Sequence, residues 1–300
     1  MKILIGGSHG LVGTALIKSL ETMGHEVFRL VRYAPHSKTE VEWSPDRYSI
    51  ALARIEGFDA VVNLAGESIA ERWTNEKKRR IRESRVKGTK LLGDALANLT
   101  VRPQTFICAS AIGYYGNRGD EILTESSAPG DDFLAKVCAE WEEATALATE
   151  KGIRVVNTRF GVILDTEGGA LKKMLPPFRM GVGGKIGSGK QWMSWIALDD
   201  VIGGIQFALA NDSIKGPVNF VAPNPVTNAE FTKTLGHALS RPTLFPMPGF
   251  AVKLLFGEMG EALLLGSERV APKRLMAEGY EFRFSQLAPA LAHILEKPEN

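Results

Sequence analysis

Residues 6–13 read GGSHGLVG, and this short stretch decides the fold. It follows the apolar run KILI (2–5) and precedes a helical pattern, with Gly7, Gly10 and Gly13 at the spacing Gly-x-x-Gly-x-x-Gly. The first glycine permits a tight turn, the second lets a pyrophosphate approach the backbone, and the third lets helix and strand pack closely. The stretch predicts a dinucleotide-binding loop, whose cofactor-binding residues are Gly7, Ser8, Gly10, Leu11, Val12 and Gly13.

The rest of the first half alternates strand-like and helical patterns. The further strand-like runs are EVFRLVR (26–32), DAVVNLA (59–65), TFICAS (105–110) and IRVVNTRF (153–160). The helical patterns cover residues 11–23, about 75–98, and 131–151. Continuous apolar strands separated by helices are typical of a parallel sheet covered on both faces. With right-handed crossovers, the pattern predicts an α/β fold built on a doubly wound Rossmann sheet.

The sequence changes character after about residue 165. The stretch PPFRMGVGGKIGSGKQW (176–192) is rich in glycine and indicates an ordered loop region, and GPVNFVA (216–222) resembles one more strand. We therefore predict a Rossmann domain and a smaller, mostly helical substrate-side domain. The first covers residues 1–165, with 198–222 returning to it, and the second covers 166–197 and 223–300.

Composition and charge limit the classes of function. The 300 residues are 44% hydrophobic and 23% charged, which suits a globular protein with a core. A net charge of +2 gives no electrostatic case for nucleic acid or an anionic membrane as a main partner. Cys108 and Cys138 are expected to be buried free thiols, and no metal site is predicted from the cysteine or histidine spacing. The apolar run after Lys2 is too short for a signal peptide or a membrane span, so a cytoplasmic location is expected.

The end of the second strand favours NADP(H) over NAD(H). An acidic residue there would bind the adenosine ribose hydroxyls, but this chain has Val31 and Arg32 and no Asp or Glu before Glu40. A guanidinium suits a 2′-phosphate through charge-assisted bidentate hydrogen bonds. Val31 and Arg32 are therefore predicted to bind the cofactor. The alternative is that Arg32 is a surface residue beside Tyr33.

The stretch NLAGE (63–67) supplies small residues where the dinucleotide would cross the sheet. We predict that the backbone at Leu64, Ala65 and Gly66 approaches the cofactor. The next helical pattern, EKKRRIRESRVKGTK, is basic enough to suggest nucleic acid in isolation, but a solvated or subunit-facing helix explains it better. Its Arg85 is predicted to reach the cofactor.

Several longer motifs carry a family resemblance that covers nearly the whole chain. The glycine pattern, NLAG, SAIGYYG (110–116) and WIALDDVIGGIQFAL (195–209) resemble an extended short-chain dehydrogenase/reductase. FLAKVCAEWE, NPVTNAEFTKTLG and RVAPKRLMAEGYEF are similar to the atypical "epimerase family protein" branch, whose C-terminal domain has no known function. The resemblance implies an NADP(H)-binding Rossmann domain followed by a small, mostly helical substrate domain. It also implies that Ile163 supports the nicotinamide end.

The resemblance further implies a degenerate catalytic set. In the extended superfamily a Ser or Thr orients the substrate oxygen, and the Tyr of Tyr-x-x-x-Lys is the acid/base, with its pKa lowered by the Lys. Ser110 matches the Ser and Lys136 matches the Lys, but Asp132 stands where the Tyr belongs. A carboxylate with an ordinary pKa near 4 is a poor proton donor at neutral pH, and Lys136 would lower that pKa further.

Two alternatives remain open for the tyrosines that follow Ser110. Tyr114 could supply a substitute acid/base, or Tyr114 and Tyr115 could both form the wall of the pocket. Lys136 is either a contact to the cofactor ribose or half of a solvated pair with Glu140. Ser110, Tyr114 and Lys136 are the predicted catalytic residues.

The loop at 176–192 admits a second binding hypothesis. Arg179, Lys185, Lys190 and Gln191 could hold a phosphate or carboxylate on its glycine-rich backbone, although loop flexibility alone would also explain the glycines. The chain is expected to be an NADP(H)-dependent oxidoreductase or epimerase, monomeric or homodimeric, acting on a small polar or nucleotide-linked substrate. The alternative is a non-catalytic NADP(H)-binding regulator. Some members of the branch carry names that refer to cell division, and no residue here supports that link.

Overall fold

A computed structural model describes residues 1–296 of the chain. Its strands are β1 (Lys2–Gly6), β2 (Glu26–Val31), β3 (Glu40–Ser44), β4 (Ser49–Ile50), β5 (Ala60–Asn63), β6 (Thr105–Ala111), β7 (Ile122–Leu123), β8 (Arg154–Phe160), β9 (Val162–Leu164), β10 (Trp192–Met193), β11 (Trp195–Ala197), β12 (Gly216–Phe220), β13 (Val226–Thr227) and β14 (Arg269–Val270). Its helices are α1 (Leu11–Thr22), α2 (Leu52–Ile55), α3 (Asn75–Ala97), α4 (Phe133–Glu143), α5 (Ala146–Glu150), α6 (Gly169–Arg179), α7 (Leu198–Ala210), α8 (Asn228–Ala238), α9 (Gly249–Leu264), α10 (Lys273–Ala277) and α11 (Leu287–Glu296). Residues Ile112–Tyr114 form a 3₁₀ turn directly after β6.

The main sheet confirms the predicted Rossmann fold. Its eight described strands run in the order β12-β8-β6-β5-β1-β2-β3-β4. All neighbours are parallel except β3 and β4, which form an antiparallel hairpin at the edge. The order reverses between β1 and β5, which makes the carboxyl ends of these two strands the switch point at which open α/β sheets bind ligands.

Alternate residues of the central strand β1 face opposite sides of the sheet, and each side is covered. Ile3 and Ile5 belong to an apolar cluster with α1 and α7, while Leu4 belongs to a second cluster with α3 and Trp141. The side chains of Ile3, Leu4 and Ile5 are fully buried. The continuous apolar run in the sequence therefore reflects a strand that is covered by helices on both faces.

The helix predicted over residues 131–151 is wrong as a single element, because α4 ends at Glu143 and α5 begins at Ala146. The hydroxyl of Thr145 donates to the carbonyl oxygen of Glu142 at 2.6 Å. A side chain therefore occupies one of the backbone carbonyl groups at the end of α4. A Cβ on Gly93 of α3 would lie 3.1 Å from the Ala144 carbonyl oxygen. The break therefore coincides with the close approach of α3.

The C-terminal part of the described chain is mostly helical and is anchored to the Rossmann sheet through Asp200 on α7. This carboxylate is 1% exposed and accepts hydrogen bonds from the Tyr280 hydroxyl and from the backbone N–H groups of Arg283 and Phe284. Strand β12 is the edge strand of the main sheet and pairs with β8. The domain boundaries given above stay predictions. None of the helices in residues 1–296 has the length and apolarity needed to span a bilayer.

The turn after β1 touches the turn after β5, and glycines make this contact possible. Gly7 has φ +78°, and a Cβ there would lie 2.6 Å from the carbonyl carbon of Leu64. A Cβ on Gly13 would lie 2.2 Å from the carbonyl oxygen of Gly7, whereas one on Gly10 would meet that oxygen at 3.4 Å. Gly7 and Gly13 are therefore required by packing, and Gly10 is not.

We expect Gly13→Ala to destabilise the protein and Gly10→Ala to be tolerated. The Gly13 methyl would collide with backbone that cannot move unless α1 leaves the strand, at a cost of about 2 kcal/mol or more in the free energy of unfolding. The Gly10 methyl meets only ordinary contact, so that variant should stay within about 1 kcal/mol of the wild type. Urea denaturation measures both, and equal losses at the two positions would contradict the packing assigned to Gly13.

Candidate functional site

A cavity of about 630 Å³ lies at the switch point, over the carboxyl ends of β1, β2 and β5. Eight of the predicted cofactor residues line it: Gly7, Ser8, Gly10, Val31, Arg32, Leu64, Ala65 and Gly66. Among the other predicted cofactor residues, Leu11, Val12 and Gly13 form the first turn of α1. Ile163 lies on β9, paired with Ile196 of β11, and contacts the apolar cluster of α1 and α7.

The N-terminus of α1 faces this cavity through the glycine loop. Gly10 is its N-cap, the N-cap supplies no side-chain hydrogen bond, and no acidic residue occupies the first turn. The first N–H groups of a helix have no acceptor within the helix, and the helix dipole places positive potential there. The arrangement fits a pyrophosphate, because the backbone donors are uncovered and the loop has no Cβ in the way.

Arg32 is an exposed cation on the wall of the cavity. Its guanidinium has no hydrogen bond or ion pair to any residue in the range 1–296. Glu67, which lines the same cavity, is already bound to Lys77 at 2.7 Å and to Arg80 at 2.8 Å. The hydrogen bond from Lys77 lowers the pKa of Glu67, although burial opposes the shift. Glu67 is therefore an ionised and occupied carboxylate, and Arg32 keeps its donors for another anion.

Arg85 supports the turn after β5. Its guanidinium donates to the carbonyl oxygens of Glu67 and Ile81, at 3.0 and 3.1 Å. It also lies over the Trp141 ring at 5.0 Å and packs so closely on Gly66 that a Cβ there would approach it to 3.2 Å. Arg80 of the same helix, rather than Arg85, lines the cavity. A direct contact from Arg85 to the cofactor stays a prediction.

A second group of polar residues lies at the end of β6, and it is buried. Ser110 is only 2% exposed, and its hydroxyl donates a hydrogen bond to the Glu142 carboxylate at 2.7 Å. Glu142 also accepts two hydrogen bonds from Arg159, at 2.7 and 2.8 Å. This bidentate pair connects α4 to β8, and its two side chains are 12% and 3% exposed.

Arg159 extends the network to β12. Its third nitrogen donates to the Tyr115 hydroxyl at 2.9 Å, and that hydroxyl donates to Asn219 at 2.6 Å. The guanidinium also stacks on the Tyr114 ring at 3.5 Å. Burial alone would lower the pKa of Arg159, but the two hydrogen bonds that it donates to Glu142 raise the pKa overall. We call Ser110, Tyr115, Glu142, Arg159 and Asn219 the buried network.

The two tyrosines that follow Ser110 both lie against the Arg159 guanidinium. Burial raises the pKa of Tyr115 to about 12, an effect that the Arg159 charge opposes, and the Tyr115 hydroxyl is committed within the buried network. Tyr114 is half-buried beneath the Arg159 guanidinium and packs edge-on against Tyr115. This geometry favours the alternative in which both rings are wall residues, while a proton-transfer role for Tyr114 stays a prediction.

Asp132 and Lys136 do not form a working pair. Asp132 is the N-cap of α4, where its carboxylate accepts from the Ala135 N–H at 2.8 Å. Lys136 is exposed and has no hydrogen bond or ion pair from its side chain within residues 1–296. Glu140, its expected partner, pairs with Arg82 of α3 instead. The structure therefore gives Asp132 a reason to occupy this position that is independent of catalysis.

The glycine-rich loop at 176–192 is shaped by packing. A Cβ on Gly184 would lie 2.1 Å from the carbonyl oxygen of Phe245, and one on Gly183 would collide with Phe178. Gln191 is 8% exposed and donates to two backbone carbonyl oxygens. Lys185 and Lys190 are exposed, and Arg179 is engaged by other residues. An anion site in this loop stays a prediction.

Comparison with known proteins agrees with this geometry. The model of the NAD dependent epimerase/dehydratase family matches residues 3–222, and that of a domain of unknown function (DUF1731) matches residues 247–294. An epimerase family protein of Mycobacterium bovis is 42% identical over 297 residues, which cover 99% of this chain and 98% of that protein. The human epimerase family protein SDR39U1 is 37% identical, with 98% of this chain and 100% of the human protein covered.

Solved structures extend the comparison. The crystal structure of human SDR39U1 with NADPH has a TM-score of 0.92 and 36% identity, and the match covers 99% of this chain and 100% of that chain. A UDP-N-acetylglucosamine 4-epimerase of Bacillus cereus has a TM-score of 0.76 at 17% identity, which shows the fold alone. The resemblance to the "epimerase family protein" branch is confirmed.

We expect Arg159→Met to cost far more stability than Arg82→Met. Removing Arg159 leaves the Glu142 carboxylate buried without its cation, which typically costs about 3 to 5 kcal/mol. Arg82 also pairs with a glutamate of α4, but both side chains are exposed, so its loss should cost less than about 1 kcal/mol. Urea denaturation of the two variants makes the comparison, and a similar small loss in both would show that the buried pair contributes little.

Proposed function

Because the chain belongs to the NAD dependent epimerase/dehydratase family, we propose that it binds NADP(H) and acts as an oxidoreductase or epimerase on a small polar or nucleotide-linked substrate. Arg32 carries the cofactor part of this proposal. It lines the same cavity as the glycine loop and keeps its guanidinium donors available, which is the arrangement that a 2′-phosphate requires. The NADPH found with human SDR39U1 supports the same cofactor here.

Each part of the cavity suits one part of the dinucleotide. The uncovered N–H groups at the start of α1 would hold the pyrophosphate, and the backbone at Leu64, Ala65 and Gly66 leaves room for the adenosine ribose. Arg32 would bind the 2′-phosphate. The bound nicotinamide would supply or receive a hydride beyond the end of β6, where a substrate carbonyl or carbinol carbon would bind.

A specific observation also favours a second candidate, a non-catalytic NADP(H)-binding regulator. The Ser110 hydroxyl is committed to Glu142, Lys136 points to solvent, and Asp132 caps a helix. The three positions matched to the Ser, Tyr and Lys of the superfamily therefore do not supply an acid/base. A regulator would bind the cofactor in the same cavity and turn over nothing.

Turnover on a substrate panel separates the two candidates. The protein is mixed with NADPH and a set of aldehydes, ketones and nucleotide sugars, and NADPH consumption and sugar epimers are measured. Cofactor binding with saturable turnover supports the enzyme. Binding with no turnover on any of these compounds supports the regulator.

We expect Arg32→Ala to remove the preference for NADPH. Loss of a charge-assisted bidentate contact should weaken NADPH binding by about 10- to 100-fold, and NADH binding should change little because NADH has no 2′-phosphate. Fluorescence titration with both nucleotides measures the two affinities. Arg29→Ala is the matched control, because Arg29 lies on β2, just before Arg32 in the chain, and is directed to Glu21 at 3.8 Å. Equal NADPH and NADH affinities in the wild type would overturn the cofactor assignment.

A further inference from the structure

The start of α9 and the loop before it carry an exposed apolar surface, and the loop after α6 lies beside them. The Arg241 guanidinium donates to the Arg179 carbonyl oxygen at 2.9 Å, and the Met247 N–H donates to the Lys185 carbonyl oxygen at 2.9 Å. These hydrogen bonds hold the two loops together as one surface. Six of its apolar side chains are each between 58% and 76% exposed, and we call them the apolar face: Met180, Leu244, Phe245, Phe250, Leu254 and Leu255.

A kink at Gly257 leaves the first half of α9 uncovered. Gly257 has φ +59°, which interrupts the helical geometry and divides α9 in two. In the half after the kink, Met259 is buried in an apolar cluster with Trp73. In the half before it, Gly249–Phe256, Val252 is the one buried residue. A helix that is apolar on most of its sides is normally buried, so this half lacks the cover that its composition requires.

The apolar face is as large as one side of a protein–protein interface. With about 150 to 200 Å² for each large apolar residue when fully exposed, the six side chains present on the order of 800 Å². The largest apolar patch on a typical monomeric protein covers about 300 to 600 Å². A standard interface buries about 800 Å² on each partner, so the face alone is large enough for a stable complex. Its area therefore points to a protein-sized partner.

The charges of this surface suit a second copy of the same chain. In a twofold dimer the same surface meets itself, so an unpaired charge at its centre would face its own copy and repel it. Between residues 242 and 257 the chain has one charged residue, Lys253. Its ammonium group is paired with the Glu261 carboxylate at 2.6 Å. The stretch that carries most of the apolar face can therefore pack against itself without repulsion.

The exposed surface of α3 is a poorer place for such a contact. It carries a row of exposed cations, and each is paired with an acidic residue of the same chain: Arg79, Arg82, Lys87 and Lys90. The cores of protein interfaces are depleted in charged residues, because burial would remove water from these pairs. The pairing on α3 therefore fits a solvated helix rather than a subunit-facing one.

We propose that the apolar face joins two copies of this chain in a twofold dimer. Each copy buries its six apolar side chains against those of the other, which gives the first half of α9 the cover that it lacks in a single chain. None of the six residues lines the cofactor cavity, so the dimer leaves that cavity open. The dimer is therefore independent of the proposed NADP(H)-dependent activity and forms with or without a bound nucleotide.

Sedimentation velocity of the full chain over a range of concentrations measures the assembly. We expect a dimer with a Kd of about 1 µM or tighter, since interfaces of this size range from micromolar to picomolar affinity. Leu254→Glu and Phe250→Glu should each weaken the dimer by about 100-fold or more, because each places an unpaired charge within the contact. Val101→Glu is the matched control and should dimerise like the wild type, since Val101 is as exposed as Leu255 but lies outside the face.

Two results of the sedimentation series would overturn the proposal. The first is a wild-type chain that stays monomeric up to about 100 µM, a concentration at which even a weak specific dimer forms. The second is a dimer that survives both glutamate substitutions, which would place the contact on another surface. Circular dichroism of each variant shows whether it is folded, so a loss of assembly is not mistaken for a loss of structure.

A thiol probe tests the place of the contact without adding a charge. Cys108 and Cys138 are both buried, so a cysteine introduced at the surface is the thiol that a maleimide reaches first. Leu254→Cys should be labelled about 10-fold more slowly above the Kd of the dimer than below it, because assembly covers the thiol. Val101→Cys should be labelled at the same rate at every concentration. Equal labelling rates of Leu254→Cys above and below the Kd would contradict the proposal.

Lipid vesicles test a membrane surface as the other occupant of the apolar face. The vesicles contain phosphatidylcholine with about one quarter phosphatidylserine, which gives them the negative surface of an anionic membrane. We expect the wild-type dimer to stay in solution when the vesicles are floated on a density gradient. A monomeric wild type that floats with the vesicles, and that Leu254→Glu releases, would assign the face to a membrane and sink the dimer.

Discussion

The buried ion pair between Glu142 and Arg159 is the interaction on which the rest of the buried network depends. It joins α4 to β8 through two hydrogen bonds and leaves both charges almost without solvent. A pair of this kind adds little to stability compared with apolar residues of the same volume, but it tolerates only one arrangement, because each charge needs the other. Ser110 and Tyr115 complete its hydrogen bonding, so the ends of β6 and β8 and the helix α4 are held in one fixed relation.

This constraint also engages two of the hydroxyl groups that the sequence analysis placed at the site. The Ser110 hydroxyl donates its proton to Glu142 within the buried network. The same network holds the Tyr115 hydroxyl between Arg159 and Asn219. Polar groups at this edge of the sheet therefore hold its strands and α4 together.

The sequence predicted the cofactor half of the molecule because its signals are local. The glycine spacing at 6–13 indicates where two stretches of backbone approach each other closely. The clash that a Cβ on Gly13 would make with the Gly7 carbonyl oxygen confirms this. Arg32 is assigned from its place at the end of β2, which needs no knowledge of distant residues. The fold class follows from continuous apolar strands separated by helices, and the sheet order confirms it.

The other half could not be predicted because its contacts join distant parts of the chain. Glu142 and Arg159 lie on different elements, and neither follows a motif. The one signal for Arg159 is a charge inside the apolar run IRVVNTRF, which requires a buried partner without naming it. Asp132 could have been interpreted from sequence as an N-cap, since an Asp just before a helical pattern is a common start signal. The match to the superfamily's tyrosine gives no indication of this capping role.

The cofactor loop and the predicted catalytic region also differ in which substitutions they tolerate. The cofactor loop works through backbone donors, which nearly every sequence possesses, so its only requirement is the absence of side chains at a few glycines. Acid/base chemistry works through titratable side chains, and such a side chain can come from any segment that reaches the substrate. A missing tyrosine at position 132 is therefore weak evidence against catalysis in this fold.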